Sequence, residues 1–206
     1  IAFFVRHTSG VICAALSGDR CEALALPLMV PPATNADQFR TAFTVTVDAA
    51  VGTTTGISAA DRAATLRALA DPSTRPAQLN RPGHIFPLRA RPGGVLQRPG
   101  HTEAAVDLAR LAGRAPAGVL SELVLDDGSM ARLPELLVFA EQHQLKVGAI
   151  SDLIHYRSRH ECLIERVGQR VVNTPFGQFT LHAFRDNTTG ETHLALSKGD
   201  IRADSD

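Results

Sequence analysis

Residues 95–125 read VLQRPGHTEAAVDLARLAGRAPAGVLSELVL, and this stretch decides the fold class. From Thr102 onward Ala105, Leu108 and Leu111 share one helical face, and Gly113 stops the helix. Ala117 to Leu125 then reads as a buried strand, closed by the turn Asp126-Asp127-Gly128. Helices and strands alternate in the same way through the rest of the chain up to about residue 161.

Upstream, Ile1 to Ser9 reads as the end of a helix stopped by Gly10, and Val11 to Leu16 as a short buried strand. Pro31 to Gln38 is a polar, proline-containing loop. Across Ala42 to Asp48, Phe43, Val45 and Val47 alternate with Thr44 and Thr46, the period of a half-buried strand. Ser58 caps the next helix, with Asp61 placed to close a capping box. Its apolar face runs through Ala63, Leu66, Leu69 and Ala70 to Asp71-Pro72. Residues 71 to 84 read as loop, Ile85 to Ala90 as extended, and Pro92-Gly93-Gly94 as a turn. Downstream, Pro134 opens a helix running to about His143. Lys146 to Ile150 reads as a short strand, and Ser151 caps a helix to about Glu161. Beyond residues 161 to 168 helical signals vanish. Arg170 to Arg185 and Thr192 to Ser197 are strand-like, with turns at Pro175-Phe176-Gly177 and Asn187 to Gly190. This divides the chain into residues 1–161 and 162–206, the second part too short to build its own core.

Composition narrows the function. Over 206 residues Lys+Arg and Asp+Glu both total 21, which argues against nucleic-acid binding through a broad basic surface. No apolar run approaches a membrane span. Cys13, Cys21 and Cys162 are odd in number and lack metal spacing, which fits a reducing, cytoplasmic compartment. The chain starts on Ile1 within helix-like sequence, so the expectation is a gene product that begins further upstream.

Four features carry candidate chemistry. Gly52 to Arg62 is a Gly/Thr-rich turn opening a helix, a weak phosphate-site signal. Arg-Pro-Gly-His occurs twice, at Arg81 to His84 and at Arg98 to His101, each reading as a Gly-hinged turn. In the second, Arg98, Thr102 and the amides after Gly100 can together hold a phosphate, and His101 can bind a metal or move a proton. Glu122 lies among apolar residues, where desolvation would raise its pKa into the range of general acid–base work; the plain alternative is an outward-facing strand residue. Cys13 reads as packing, and His143, His155 and His160 as solvated positions near helix ends. His7 reads as charge complementation at a helix end.

Arg6-His7-Thr8-Ser9-Gly10, Thr55 to Arg62, Asn80-Arg81-Pro82-Gly83-His84, Arg98 to Ala104 and Ser121-Glu122-Leu123 occur in this order. From residue 1 to about 161 the chain resembles the 3,4-dihydroxy-2-butanone 4-phosphate synthase family. The resemblance implies an α+β fold, a mixed sheet with flanking helices, and a homodimer with active sites at the subunit interface. It implies Mg2+ or Mn2+ as cofactor, and conversion of ribulose 5-phosphate to 3,4-dihydroxy-2-butanone 4-phosphate and formate. It assigns catalysis to His84 and Glu122, substrate binding to Arg98, Pro99, Gly100, His101, Thr102 and Glu122, and metal binding to His101. The family's acidic metal-binding loop precedes its first long helix, and this sequence starts after that position.

Arg170 to Phe179 and Glu191 to Leu196 are similar to the opening strands of GTP cyclohydrolase II, whose catalytic residues would lie further on; no GTP hydrolysis is expected of this chain. Two other readings stand beside the synthase. One is a catalytically silent homologue serving as dimer partner or regulatory module, which intact His84, Arg98, His101 and Glu122 speak against. The other is a sugar-phosphate isomerase using the same enediolate and releasing no formate.

Overall fold

The computed structural model describes residues 1–199. It divides into two compact units, Ile1–Leu153 and a second that begins at Ile154. The first is α+β. It begins with α1 (Ala2–His7), β1 (Cys13–Leu16) and α2 (Gly18–Ala23), followed by β2 (Val47–Ala49), α3 (Ala59–Ala70) and β3 (Leu79–Arg89). Then come α4 (His101–Leu111), β4 (Ala117–Leu120) and α5 (Leu133–Gln142), and α6 (Ile150–His160) carries the chain across the boundary.

The four strands form one mixed sheet in the order β2-β3-β1-β4, with β1 parallel to β3 and the other pairings antiparallel. All four residues of β1 are buried, as expected of a strand covered on both faces. Ala14 and Leu16 point into the larger core with Val47, Leu66, Leu69 and Ile85, while Ala15 faces Val106 of α4 and Ala90. The period-two alternation of one short strand thus joins two apolar layers.

Several local readings change in three dimensions. Ser58 does cap α3, its hydroxyl accepting from Asp61 N at 3.0 Å, but Asp61 does not reach back. The Asp61 carboxylate instead accepts from the Thr54 hydroxyl at 2.8 Å and Gly56 N at 3.0 Å. These bonds, the Thr54 hydroxyl first, hold its pKa below the usual carboxylate value. Two donors of the Gly/Thr-rich turn, the Thr54 hydroxyl and Gly56 N, are thereby committed within the fold.

Across Ala42 to Asp48 only the last two residues enter β2. Thr44, expected outward, is fully buried because its hydroxyl donates to Pro87 O at 3.1 Å. The expected loop at 71–84 becomes strand from Leu79, so the first Arg-Pro-Gly-His is not a turn. Side chains there replace ladder bonds: Gly83 N donates to Thr46 Oγ1 at 3.1 Å, and His84 N to Asp48 Oδ1 at 3.0 Å. The register of β2 against β3 shifts at this place, between Val47 and Asp48. Lys146 to Ala149 is irregular, and α6 starts at Ile150, which puts Ser151 inside its first turn. The short helix α2, capped by Ser17, carries too few turns to show a period.

His143 is not simply solvated. Its ring lies 4.6 Å from that of His7 and 4.4 Å from Phe139, and the Phe3 ring lies 4.7 Å from that of His7, tilted by 42°. Desolvation, then His143 and Arg6, lower the His7 pKa below its ordinary value. With the folded value below the unfolded one, the unfolded chain takes the proton first as pH falls. Stability contributed by this cluster is therefore expected to decline below the ordinary histidine pKa of about 6.5. Melting temperatures compared at about pH 8 and about pH 5.5 should show the decline, and His143→Gln should flatten it.

The second unit carries the antiparallel meander β5 (Ile164–Thr174), β6 (Gly177–Asp186) and β7 (Thr192–Ser197). Gly177, at φ +111°, makes the first of its turns, a conformation side-chain-bearing residues rarely adopt. Among the described residues no helix is long and apolar enough to cross a membrane.

Candidate active site

The second Arg-Pro-Gly-His does form a turn, and it delivers its residues to one cavity. Gly100 occupies the N-cap of α4, His101 is the exposed first helical residue and Thr102 the buried second. Arg98, Pro99, Gly100, His101 and Thr102 line a cavity of about 830 Å3, joined by Cys13, Ser121 and Glu122. That volume lies in the range of small-molecule sites.

Glu122 reaches the cavity differently from the sequence expectation. β4 ends at Leu120, so Glu122 is exposed on the segment that follows, and the desolvated mid-strand carboxylate is absent. The segment is held from the end of α1. Thr8 O accepts from Val124 N at 2.9 Å, the Thr8 and Ser121 hydroxyls meet at 3.0 Å, and Ser9 bridges Leu123. A Cβ on Gly10 would lie 2.3 Å from Glu122 O, so only glycine permits this approach. Thr8, Ser9 and Gly10 thus work as a clamp that presents Glu122.

Cys13 is 2% exposed, and burial followed by the Glu122 charge pushes its thiol up to about 12. Its thiol stays protonated near neutrality.

His84 is not among the residues lining this cavity. It stands on β3 with its ring half exposed, and its partner is Asp48 of β2. One carboxylate fixes it twice: Asp48 Oδ2 meets His84 Nδ1 at 2.7 Å while Oδ1 accepts from His84 N. A carboxylate at Nδ1 leaves Nε2 as the outward-facing nitrogen. Gly56 closes over the pair at φ +88°, and a Cβ there would lie 2.1 Å from Asp48 Oδ2. The Arg81 guanidinium is spent on backbone carbonyls, at 2.7 Å to Leu24 O and 3.0 Å to Leu79 O. The two copies of the tetrapeptide therefore do different work.

The structure adds two carboxylates that local sequence features conceal. Asp48 ends an alternating strand-like run, and Glu103 reads as an ordinary acid in a helix first turn. Only pairing across the sheet identifies Asp48, and only its burial beside Arg98 identifies Glu103.

For a divalent cation, His101 and Glu122 offer a ring nitrogen and a carboxylate to the cavity. Among the described residues no three His, Cys, Asp or Glu side chains converge as a metal-holding group. Magnesium asks for an octahedral, oxygen-rich shell, so these two side chains do not by themselves complete its site.

Comparison with known proteins places the chain in a family. The family profile described as 3,4-dihydroxy-2-butanone 4-phosphate synthase matches residues 1–156, and that of GTP cyclohydrolase II matches residues 165–205. A 3,4-dihydroxy-2-butanone 4-phosphate synthase of Neisseria meningitidis serogroup A is 52% identical over 206 residues, covering 100% of this chain and 56% of the relative. The chain thus spans about half the length of the curated relatives it matches. The crystal structure of RibBX from A. baumannii, a two-domain 3,4-dihydroxy-2-butanone 4-phosphate synthase, superposes with a TM-score of 0.84 at 48% identity. It covers 96% of this chain and 58% of that one. A 3,4-dihydroxy-2-butanone 4-phosphate synthase crystallised with two magnesium ions gives 0.73 at 49% identity, covering 78% of this chain and 79% of that one. With the first profile spanning three quarters of its length and both solved relatives sharing its fold, the chain belongs to the 3,4-dihydroxy-2-butanone 4-phosphate synthase family.

Proposed function

We propose that the protein is a lyase of riboflavin biosynthesis that converts D-ribulose 5-phosphate into L-3,4-dihydroxy-2-butanone 4-phosphate and formate. The observation that carries this reading is the convergence of Arg98, His101, Thr102 and Glu122 on one cavity in a chain of this family. Atoms balance between the sugar phosphate and its two products, so neither oxidant nor reductant is required.

Arg98 and the amides that open α4 take the phosphate, the charge-assisted arrangement suited to a dianion. The carbon next to the ketone gives up its proton to form an enediolate, and proton transfers are divided between Glu122 and His84. Cys13, held as a thiol, contributes packing. A divalent cation, Mg2+ or Mn2+, would be held with His101 as its nitrogen ligand and would stabilise the charge of the enediolate; a related synthase in complex with two magnesium ions supports the choice of magnesium. The assembly is a homodimer with active sites at the subunit interface. The position of His84 and Asp48 outside the cavity supports this, since a second copy can bring such a pair to it. The three free cysteines suit a cytoplasmic setting.

Formate release from ribulose 5-phosphate by the full-length protein tests the reading. Release in magnesium, abolished by excess chelator and restored by added magnesium, is the expected result. A pentose phosphate without formate would establish an isomerase instead, and no turnover a silent homologue.

A further inference from the structure

Arg98 does not wait in the cavity as a free cation. Its side chain is 22% exposed, and its guanidinium is held on three sides. Nη1 donates to Glu103 Oε2 at 2.6 Å, and Nε and Nη2 donate to Phe39 O at 3.3 and 3.0 Å. Nη2 also reaches the Thr41 hydroxyl at 3.4 Å. Glu103 itself is 1% exposed, a placement that is costly for a carboxylate unless both oxygens are satisfied. Its second oxygen accepts from Arg91 N at 3.0 Å. Gly100 sits against this pair: a Cβ would lie 2.2 Å from Arg98 Nη1 and 2.7 Å from Glu103 Oε2.

We propose that Glu103 is the positioning residue for Arg98, setting the plane of the guanidinium that receives the substrate phosphate. This rests on the assignment of Arg98 to the phosphate above. Guanidinium recognition of phosphate is planar and directional, so a fixed plane is worth affinity that an unheld Arg would lose to ordering. Glu103 does not line the cavity, so its effect falls on substrate affinity and leaves the chemical step alone. Both of its partners are donors, one a backbone N–H and one a guanidinium. Only a carboxylate accepts from both. A glutamine has one acceptor and presents its own amide donor to the other partner.

The test is Glu103→Gln in the full-length protein. KM for ribulose 5-phosphate should rise about tenfold while kcat stays within about threefold, and the dissociation constant for inorganic phosphate, by calorimetry, should rise in parallel. Arg98→Lys keeps the charge without the plane and should raise KM to a similar degree, and adding Glu103→Gln to it should change KM little further. An unchanged KM, a loss confined to kcat, or full additivity in the double variant overturns the proposal. If Glu103→Gln does not fold, Arg98→Lys alone decides: unaltered phosphate affinity would mean that a point charge suffices and the plane is irrelevant. Wild-type protein that binds phosphate but releases no formate would count against the assigned reaction only, because phosphate affinity still reads the role of Glu103.

Discussion

Glu122→Gln and His84→Ala are each expected to lower formate release on the order of a thousandfold in the full-length protein, with melting temperature little changed. Both side chains are substantially exposed, so neither change opens a cavity in the core. The amide keeps the shape of Glu122 and removes its capacity to take a proton. Alanine at 84 removes the ring that Asp48 orients through Nδ1. Asp48→Asn should cost less, on the order of tenfold to a hundredfold, because the ring remains while its orientation and tautomer are no longer imposed. The pair of variants also tests the dimer. If Glu122 of one subunit works with His84 of the other, mixing the two inactive variants under subunit exchange should restore about a quarter of wild-type turnover. Half the dimers would then be mixed, each with one intact site. No recovery in a demonstrably mixed dimer would place both residues in the same subunit's site. Retention of turnover in either single variant would remove that residue from the catalytic role.

What the sequence makes legible here is what local rules encode. Ser58 and Pro134 mark helix starts that the structure reproduces, because a cap acts on amides within its own turn. The turn at Arg98 to Thr102 is likewise local, and all five residues reach the cavity. Errors arise where a distant partner decides. Thr44 is pulled inward by Pro87 O, a partner from β3 that no periodicity announces. Asn80 to His84 looked like a loop because Pro and Gly punctuate it, yet Thr46 and Asp48 supply side-chain oxygens that let the strand continue. The apolar run around Glu122 suggested a continuous strand, whereas pairing with β1 ends at Leu120, opposite Cys13. Glu103 lies in the first turn of a helix, where an acid is unremarkable, and its burial depends on how the chain packs around the start of α4. Local chemistry identified most of the candidate residues; their orientation depends on carboxylates read only in three dimensions.

Gly83→Ala should be the most damaging single methyl group in the first unit. A Cβ on Gly83 would stand 1.9 Å from the carbonyl carbon of Val47, 2.2 Å from Asp48 N and 2.3 Å from Val47 O. These are backbone atoms of the neighbouring strand, so no side chain can rotate away, and the β2–β3 seam must open. The seam is poorly able to yield, since Val47 is fully buried and the register already shifts at this point. The expected loss is about 4 kcal/mol or more, a fall in melting temperature on the order of 10 °C. Gly148→Ala provides the contrast: nothing lies within 4 Å of its added methyl, and the change should stay within about 0.5 kcal/mol. Activity separates the two further. Opening the seam moves Asp48 away from His84, so any folded Gly83→Ala protein should show the turnover defect of Asp48→Asn, which Gly148→Ala should not. Equal melting of both variants would mean that β2 and β3 do not approach closely enough at Gly83 to exclude a methyl group, and the orientation of His84 by Asp48 would lose its structural basis.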